Sequence, residues 1–426
     1  MQTAQQLFES AQAESAKNLR ALAEKWSNPN GEGDILEIKK LQESVSVSKF
    51  NTTLQLLENE AKALKEDVNV TTQIKGYDPV LISMVRRMTP QLIAYDVCGV
   101  QPMNMPTGLG FAIRALYPNA ASPQFNATSK EALFKEVDSA HSGTGTDDRS
   151  DNPFLDVDLM AKTGHGQDTA VGELAAWKNM GITIDKIALE AKTRQLRADY
   201  SFELEKDMQA VHNLSARAEL SNILAQEIVL EQNQEIVRTI LHAAHIGAQN
   251  QATAGTFDYA TGTDGRWAGE KALGLWAYIR SEAAKLYMEN RRGAGTFIIT
   301  TMSVANALQL AGILKNDTNY AQSIDINLQS STYVGMAGQL KVFVDPFLNG
   351  DGVVIGYKGT NEFDAGIIYA PYVPLTMHSG LDASNDRFRN AIGFQQRAAI
   401  AANPFTSLEK GKNIFYRKFA ITNLPW

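Results

Sequence analysis

The sequence contains very little cysteine and no long apolar run, and each absence excludes a class of protein. Its 426 residues include one cysteine, Cys98, so an internal disulfide scaffold is excluded. No stretch of about 18 apolar residues occurs, which excludes a membrane-spanning helix. The N-terminus also lacks the basic and apolar regions of a secretory signal. These features fit a reducing compartment, and we expect no membrane partner.

The charge balance and the missing motifs give no support for an enzyme. Lys and Arg number 40 against 47 Asp and Glu, and the net charge of −7 gives no electrostatic reason to bind nucleic acid over the whole surface. The chain has no phosphate-binding GxxxxGK[ST] loop, no HExxH, no paired CxxC and no GxSxG elbow. Gly108-Leu109-Gly110 lacks the third glycine of a dinucleotide site. We therefore expect no catalytic residues and no cofactor.

Two groups of side chains leave a metal site open as a remote alternative. His242 and His245 are three residues apart in a segment predicted to be helical, so they could face one metal ion, but they need a third ligand. Glu227, Glu231 and Glu235 form a row at helical spacing, without the Glu-x-x-His partner of a di-metal site. The ordinary interpretation of the row is a solvated or subunit-facing side of a helix. We expect no metal; the remote alternative is a metal-dependent hydrolase using the histidines and a glutamate.

Two basic doublets, Arg86-Arg87 and Arg291-Arg292, stand out in the remaining sequence. They could pair with acidic patches on a neighbouring chain, line a surface that faces nucleic acid, or be solvated. No aromatic residues are interleaved with them, so recognition of base sequence is not supported. The candidate inter-subunit contacts are therefore Arg86, Arg87, Glu227, Glu231, Arg291 and Arg292.

The first 181 residues divide into three segments of different character. Residues 1–66 carry a narrow apolar stripe typical of an amphipathic helix. Residues 67–118 contain prolines at short intervals, which predicts an extended arm with helix only at 80–88. Residues 119–181 are irregular and rich in small and turn-forming residues, which predicts a two-stranded excursion from the compact core.

The strongest pattern in the sequence predicts a long helix. Ser215 can cap its first turn, and apolar residues follow helical spacing until Gly247. Roughly 31 residues at 1.5 Å rise give a length of about 46 Å, which suits a structural strut. A strand is predicted before it at 182–200, where Ile182 and Ile184 alternate with polar residues. After it the prediction alternates helices at 267–290 and 303–314 with strands at 297–299, 341–344, 353–355, 366–369, 394–400 and 414–421.

Several stretches resemble the major capsid proteins of T4-type tailed phages, which carry the HK97-like capsid fold. Residues 84–108, MVRRMTPQLIAYDVCGVQPMNMPTG, resemble the N-terminal arm of that family. Two stretches resemble the part of the family's chain that leads into its spine helix: EAKTRQLRADYSFELEKDMQAVH (190–212) and AELSNILAQEIVLEQNQEIV (218–237). Further matching stretches are DGRWAGE (264–270), GTFIIT (295–300), IGYKGTNEFDAGIIYAPYVPL (355–375) and NPF (403–405).

This resemblance implies an α+β fold with an N-terminal arm, an E-loop hairpin, a P-domain containing the long spine helix, and an A-domain. The implied divisions are a helical propeptide or scaffold-like region at 1–66, the N-arm at 67–118, the E-loop region at 119–181, the P-domain with the spine helix at 182–265, the A-domain at 266–400 and return strands of the P-domain at 401–426. The middle of the chain is short, so we expect the insertion domain of some relatives to be absent or reduced.

The resemblance also implies a function. The chain is expected to assemble into hexamers of an icosahedral or prolate phage head enclosing double-stranded DNA, with pentamers of the same chain left open. The alternatives are a pentameric vertex paralogue and a nanocompartment shell. The implied partners are copies of itself, the vertex, portal, scaffold and decoration proteins, the prohead protease, and DNA bound without sequence specificity. The implied location is the virion, after assembly in the cytoplasm of a host bacterium.

Relatives of this type are trimmed after a Leu/Ile-x-Glu motif, and Leu64-Lys65-Glu66 matches it. Leu56-Leu57-Glu58 and Leu41-Gln42-Glu43 match as well. The position of Glu66, between the helical segment and the arm, favours it as the cleavage site.

Overall fold

The computed structural model of the chain combines helices and sheets, which confirms the α+β class. It describes residues 52–56, 58–59, 92–117, 132, 139–144, 164–174, 177–251, 253–260, 267–316, 332–360, 364–382 and 389–424. Within these ranges, residues 52–56 and 58–59 are helical. The helices that follow are α1 (Ala94–Val97), α2 (Ser139–Ser142), α3 (Thr169–Leu174), α4 (Phe202–His212), α5 (Ala216–Ala243), α6 (Ala268–Asn290) and α7 (Met302–Leu310). The strands are β1 (Gly99–Val100), β2 (Thr107–Leu116), β3 (Gly181–Glu190), β4 (Lys192–Tyr200), β5 (Ala244–Ile246), β6 (Thr256–Asp258), β7 (Phe297–Thr300), β8 (Leu314–Asn316), β9 (Thr332–Ala337), β10 (Leu340–Val344), β11 (Gly352–Gly356), β12 (Ile367–Asp382), β13 (Arg389–Ala402) and β14 (Asn413–Thr422).

The long helix α5 packs on a four-stranded sheet with the order β1-β12-β13-β4. Ser215 caps the helix, because its hydroxyl accepts a hydrogen bond from the Ala218 N–H at 3.4 Å. The amide of Gln232 donates to the buried Tyr369 hydroxyl of β12. The side chain of Asn233 accepts from the Ile93 N–H at 3.0 Å, so the helix also fixes the arm that leads into β1. The predicted strut is therefore confirmed as the centre of the first core.

A second sheet has the order β5-β14-β11-β7-β10-β9-β8, with β6 also paired to β14. Its central strands β7, β10 and β11 are short and mostly buried; β7 is buried at all four positions. Helix α6 packs on this sheet through Leu275, Ile279 and Ala283, which share one side of the helix. This sheet holds the second hydrophobic core.

A two-stranded ribbon is formed by β2 and β3, which pair antiparallel over ten positions from Thr107↔Glu190 to Leu116↔Gly181. The excursion predicted for 119–181 lies between these two strands, and most of it falls outside the described residues. Strand β2 lies in the segment assigned to the arm, 67–118. Strand β3 begins at Gly181 and continues into the segment predicted as a strand, 182–200.

Three local expectations are wrong. The long helix ends at Ala243, because residues 244–246 form β5 and pair with β14. The helix predicted for 303–314 ends at Leu310, since Gly312 has a φ of +70° and the chain then forms β8. The arm is helical rather than extended at Ala94–Val97, where three of the four side chains are buried.

The C-terminal strands are divided between the two sheets. Strand β12 pairs with β13, and β13 pairs with β4 beside the long helix. Strand β14 pairs with β11, β5 and β6 in the second sheet. Strand pairing depends on contacts between distant residues, so a local pattern does not determine it.

Candidate assembly surfaces

One face of the ribbon is exposed and carries large apolar side chains, with the charged Lys186 opposite Phe111 among them. Side chains alternate between the two faces of a strand, and directly opposite residues share a face. The register therefore places five large apolar side chains together. They are Leu109, Phe111, Ile113, Ile182 and Ile184, with exposed fractions of 57, 64, 62, 71 and 67%. We call this set the ribbon face.

The ribbon face could contribute substantially to a contact. Complete burial of one large apolar side chain is worth about 1.5–3 kcal/mol, and these five are all more than half exposed. Contiguous apolar patches of this kind on a protein surface mark sites of interaction. The alternation Leu109-Gly-Phe111-Ala-Ile113 was visible in the sequence, but the sequence alone did not show that its partner strand adds Ile182 and Ile184 to the same face.

Helix α4 presents a second exposed surface. None of its residues is buried, and Phe202, Leu204 and Val211 are 47, 46 and 73% exposed. Its ends are nevertheless well formed: the Ser201 hydroxyl accepts from the Leu204 N–H at 3.3 Å, and Asn213 ends the helix in the left-handed conformation. Such a helix has well-defined ends and apolar side chains still available for a partner.

The glutamate row on α5 is partly engaged inside the chain. Arg194 of β4 contacts Glu231 at 3.1 Å and also forms an ion pair with Glu235. Glu231, proposed as an inter-subunit contact, thus has a partner in its own chain. Glu227 is exposed on the same helix.

Arg291 and Arg292, the two arginines at the end of α6, have different roles. Arg292 forms an ion pair with Asp364 at 3.1 Å, and its guanidinium lies 4.5 Å from the centre of the Phe405 ring. Tyr357 donates to the other oxygen of Asp364 at 2.8 Å, and burial together with that carboxylate raises the pKa of Tyr357 to about 12. Arg291 is exposed and ends α6 in the left-handed conformation. Arg292 therefore joins the loops around 364 and 405 in its own chain.

A buried ionic cluster, which the sequence did not reveal, joins α6 to β14. Glu282 is completely buried and contacts Lys285 at 2.8 Å and Arg417 at 3.3 Å. Arg417 also approaches Glu289 at 3.4 Å. The contact between Glu282 and the Arg417 Nε is one between charges without a well-directed hydrogen bond. This cluster fixes α6 on the second sheet.

The two histidines do not lie on one helix face as expected. His242 is in the last turn of α5, whereas His245 lies in β5. Among the described residues, no group of three or more His, Cys, Asp or Glu side chains could hold a metal ion. Cys98 is buried, and burial raises the pKa of its thiol to about 12, which keeps it protonated at neutral pH.

Two sets of predicted residues lie outside the described ranges. They are the cleavage motif Leu64-Lys65-Glu66 and the doublet Arg86-Arg87. In the ranges that are described, no helix combines the length and the apolarity needed to cross a membrane.

Comparison with known proteins gives matches over most of the chain. A sequence profile of the family described as Major capsid protein Gp23 matches residues 74–421. The major capsid protein of Escherichia phage AR1 is 36% identical over 394 residues, covering 77% of this chain and 75% of that protein. The chain belongs to the Gp23 family of major capsid proteins. The major capsid protein of Enterobacteria phage T4 is 35% identical, with coverage of 77% and 75%.

The family membership confirms the resemblance on which the sequence-based expectations depend. Together with the helices and sheets of the structure, it confirms the α+β class and the role as major capsid protein of a T4-like tailed phage. The location is therefore the capsid shell of the virion. A solved structure, the capsid of Myoviridae phage XM1, aligns with 77% of this chain and 91% of its own at 10% identity and a TM-score of 0.41. The assignment itself rests on the sequence matches.

Proposed function

We propose that the ribbon face is the surface by which one capsid subunit is held on the next copy in a hexameric capsomer. The observation that carries this proposal is the exposure of five large apolar side chains on one side of a ten-residue ribbon. A shell subunit meets several neighbours, so contacts that are weak one at a time add up by multivalency. Helix α4, with its exposed apolar side chains, supplies a surface of matching chemistry on the neighbouring copy.

Assembly of a ribbon variant tests this proposal. Phe111→Ser and Ile184→Ser each remove an exposed apolar side chain while leaving the strand pairing in place. We expect the variants to stay as smaller species at concentrations where the unchanged chain forms shells, as seen by sedimentation and electron microscopy. Thr183→Ser in the same strand is the matched control, because Thr183 lies on the opposite face of the ribbon and the change keeps every side chain of the ribbon face. Normal shells from both serine variants would disprove the proposal.

The role of the chain in the head is structural. We infer that it supplies no catalytic group and that its finer partners follow from its family. These are the vertex, portal, scaffold and decoration proteins, and packaged DNA held without sequence specificity. The mild net charge of −7 supports the last of these, since a container for a polyanion works best when it does not bind its cargo tightly. Glu227, Arg291 and the doublet Arg86-Arg87 remain candidate contacts between subunits.

The processing of the chain is the second component of the proposal. Cleavage by the prohead protease after Glu66 removes residues 1–66, which act as a scaffold-like region during assembly in the bacterial cytoplasm. The position of Leu64-Lys65-Glu66 between the helical segment and the arm supports this site. Mass spectrometry of mature particles should find a chain that begins at Asp67. An intact N-terminus in mature particles would exclude the cleavage.

A further inference from the structure

The N-terminal segment, residues 52–56 and 58–59, is docked on the body of the chain. The amide nitrogen of Asn59 donates two hydrogen bonds, one to the Met103 carbonyl at 2.7 Å and one to the Tyr372 carbonyl at 3.0 Å. The Asn59 oxygen accepts from Gln55 at 3.4 Å, and Gln55 also donates to the side chain of Asn104. Both polar atoms of the Asn59 side-chain amide thus form hydrogen bonds: the nitrogen bonds to the body of the chain, and the oxygen bonds within the segment.

These contacts lie at the root of the ribbon. The Met103 N–H donates to the Pro371 carbonyl at 2.9 Å, which is the last backbone bond between the arm and β12. A few residues later the chain enters the ribbon, where the Pro106 carbonyl accepts from the Ala191 N–H at 2.9 Å. Asn59 therefore bridges two carbonyls at the point where the chain leaves the first sheet for the ribbon.

Burial shows that the segment is packed rather than loosely apposed. Leu54 is 1% exposed and Leu56 is 3% exposed, although they precede Leu92, where the described part of the arm begins, by more than 30 residues. Thr52 and Thr53 are also buried. Met103, whose carbonyl accepts from Asn59, belongs to a buried apolar cluster with Leu189, Ala191, Ala370 and Ala399. The segment is therefore both buried and hydrogen-bonded to the body of the chain.

We propose that the N-terminal segment is a latch that holds the root of the ribbon on β12 in the unprocessed chain. The inference rests on the proposed function in one respect: Asn59 lies seven residues before Glu66, so cleavage there would separate the latch from the mature chain. Loss of the latch removes both donors from the Met103 and Tyr372 carbonyls. The root is then held only by its own backbone bonds, and the ribbon gains freedom to change its angle to the sheet.

Hydrogen exchange of the purified, unassembled, full-length chain tests the latch. Asn59→Asp has the same shape but presents carboxylate oxygens to two carbonyls and can donate to neither. We expect exchange of peptides spanning 99–107 and 188–195, read by mass spectrometry, to accelerate about tenfold or more. Asn222→Asp, the same change at an exposed position of α5, is the matched control and should leave both peptides unchanged.

A second variant keeps the test decisive if Asn59→Asp does not fold. Gln55→Ala removes only the hydrogen bonds to Asn104 and Asn59, and it should accelerate the same peptides by a smaller factor. Exchange that is unchanged in a folded Asn59→Asp chain, or in Gln55→Ala where that is the variant measured, would overturn the latch. Exchange takes place in the full-length chain without the prohead protease, and digestion follows only after the exchange is quenched. Finding that the chain is never cleaved at Glu66 would therefore refute the processing, while the latch is still tested by its own exchange result.

Discussion

Arg194 of β4 and Glu231 of the spine helix α5 form an ion pair of 3.1 Å that ties the first sheet to the helix. Arg194 also contacts Glu235, one helical turn further along. The three side chains are 31, 48 and 45% exposed, so the group lies at the surface and is screened by salt. Its net contribution to stability should therefore be modest.

Replacement of Arg194 by Ala should lower the free energy of unfolding by about 0.5–1.5 kcal/mol. The loss has two sources, because the ion pairs disappear and Glu231 and Glu235 then face each other as like charges at i, i+4. Urea denaturation at low salt measures the loss, which should shrink at 1 M salt. Arg197→Ala is the control: Arg197 forms an ion pair with Asp199 on the same strand, so its loss should change stability less. A loss that does not depend on salt would point to packing rather than charge.

Tyr357 should make stability fall at high pH. Burial first, and then the Asp364 carboxylate, raises its pKa from 10.0 to about 12 in the folded chain. The folded state therefore holds this proton more tightly than the unfolded state. The resulting stability is complete below pH 10 and is lost as the pH rises from 10 to 12. Urea midpoints measured at pH 9, 10 and 11 should decline less steeply in Tyr357→Phe, and equal slopes in the two chains would contradict this assignment.

The sequence predicted the features that depend on local chemistry. The Ser215 cap and the helical spacing after it place the start of the spine helix correctly, since a cap and an amphipathic stripe act within a few turns. The short apolar runs 297–299, 341–344 and 353–355 are all found as buried strands. The end of the spine helix was wrong because β5 is held by β14, almost 170 residues further along the chain.

The features that the sequence did not reveal depend on partners far apart in the chain. Asn59 and Tyr372 are 313 residues apart, and Arg292 and Asp364 are 72 apart. The sequence pattern of a helix with amide side chains is the same whether those side chains contact water or another part of the protein. The same is true of two adjacent arginines. The sequence shows that apolar residues alternate along β2 and at the start of β3. Only the pairing register of the two strands shows that their apolar side chains lie on the same face of the ribbon.

Arg417 should be among the side chains that stability depends on most. Its side chain is 5% exposed and faces the completely buried Glu282, so its removal leaves a buried carboxylate paired with Lys285. Arg417→Met should cost about 3–5 kcal/mol in urea denaturation. The double variant Glu282→Leu with Arg417→Met should recover part of that loss, because neither charge is then buried alone. Costs that simply add in the double variant would show that the two charges are not coupled.

Two glycines should respond in opposite directions to the same substitution. A Cβ at Gly356 of β11 would lie 2.1 Å from the ring of Phe297, which is 1% exposed and packed near Tyr416. Gly356→Ala must therefore displace a core ring and should cost about 1–3 kcal/mol. Gly274 lies inside α6 with nothing within 4 Å of the added carbon, so Gly274→Ala should stabilise by about 0.5–1 kcal/mol. Thermal and urea unfolding of both variants checks the pair, and a Gly356→Ala chain as stable as the unchanged one would show that the Phe297 ring can move without cost.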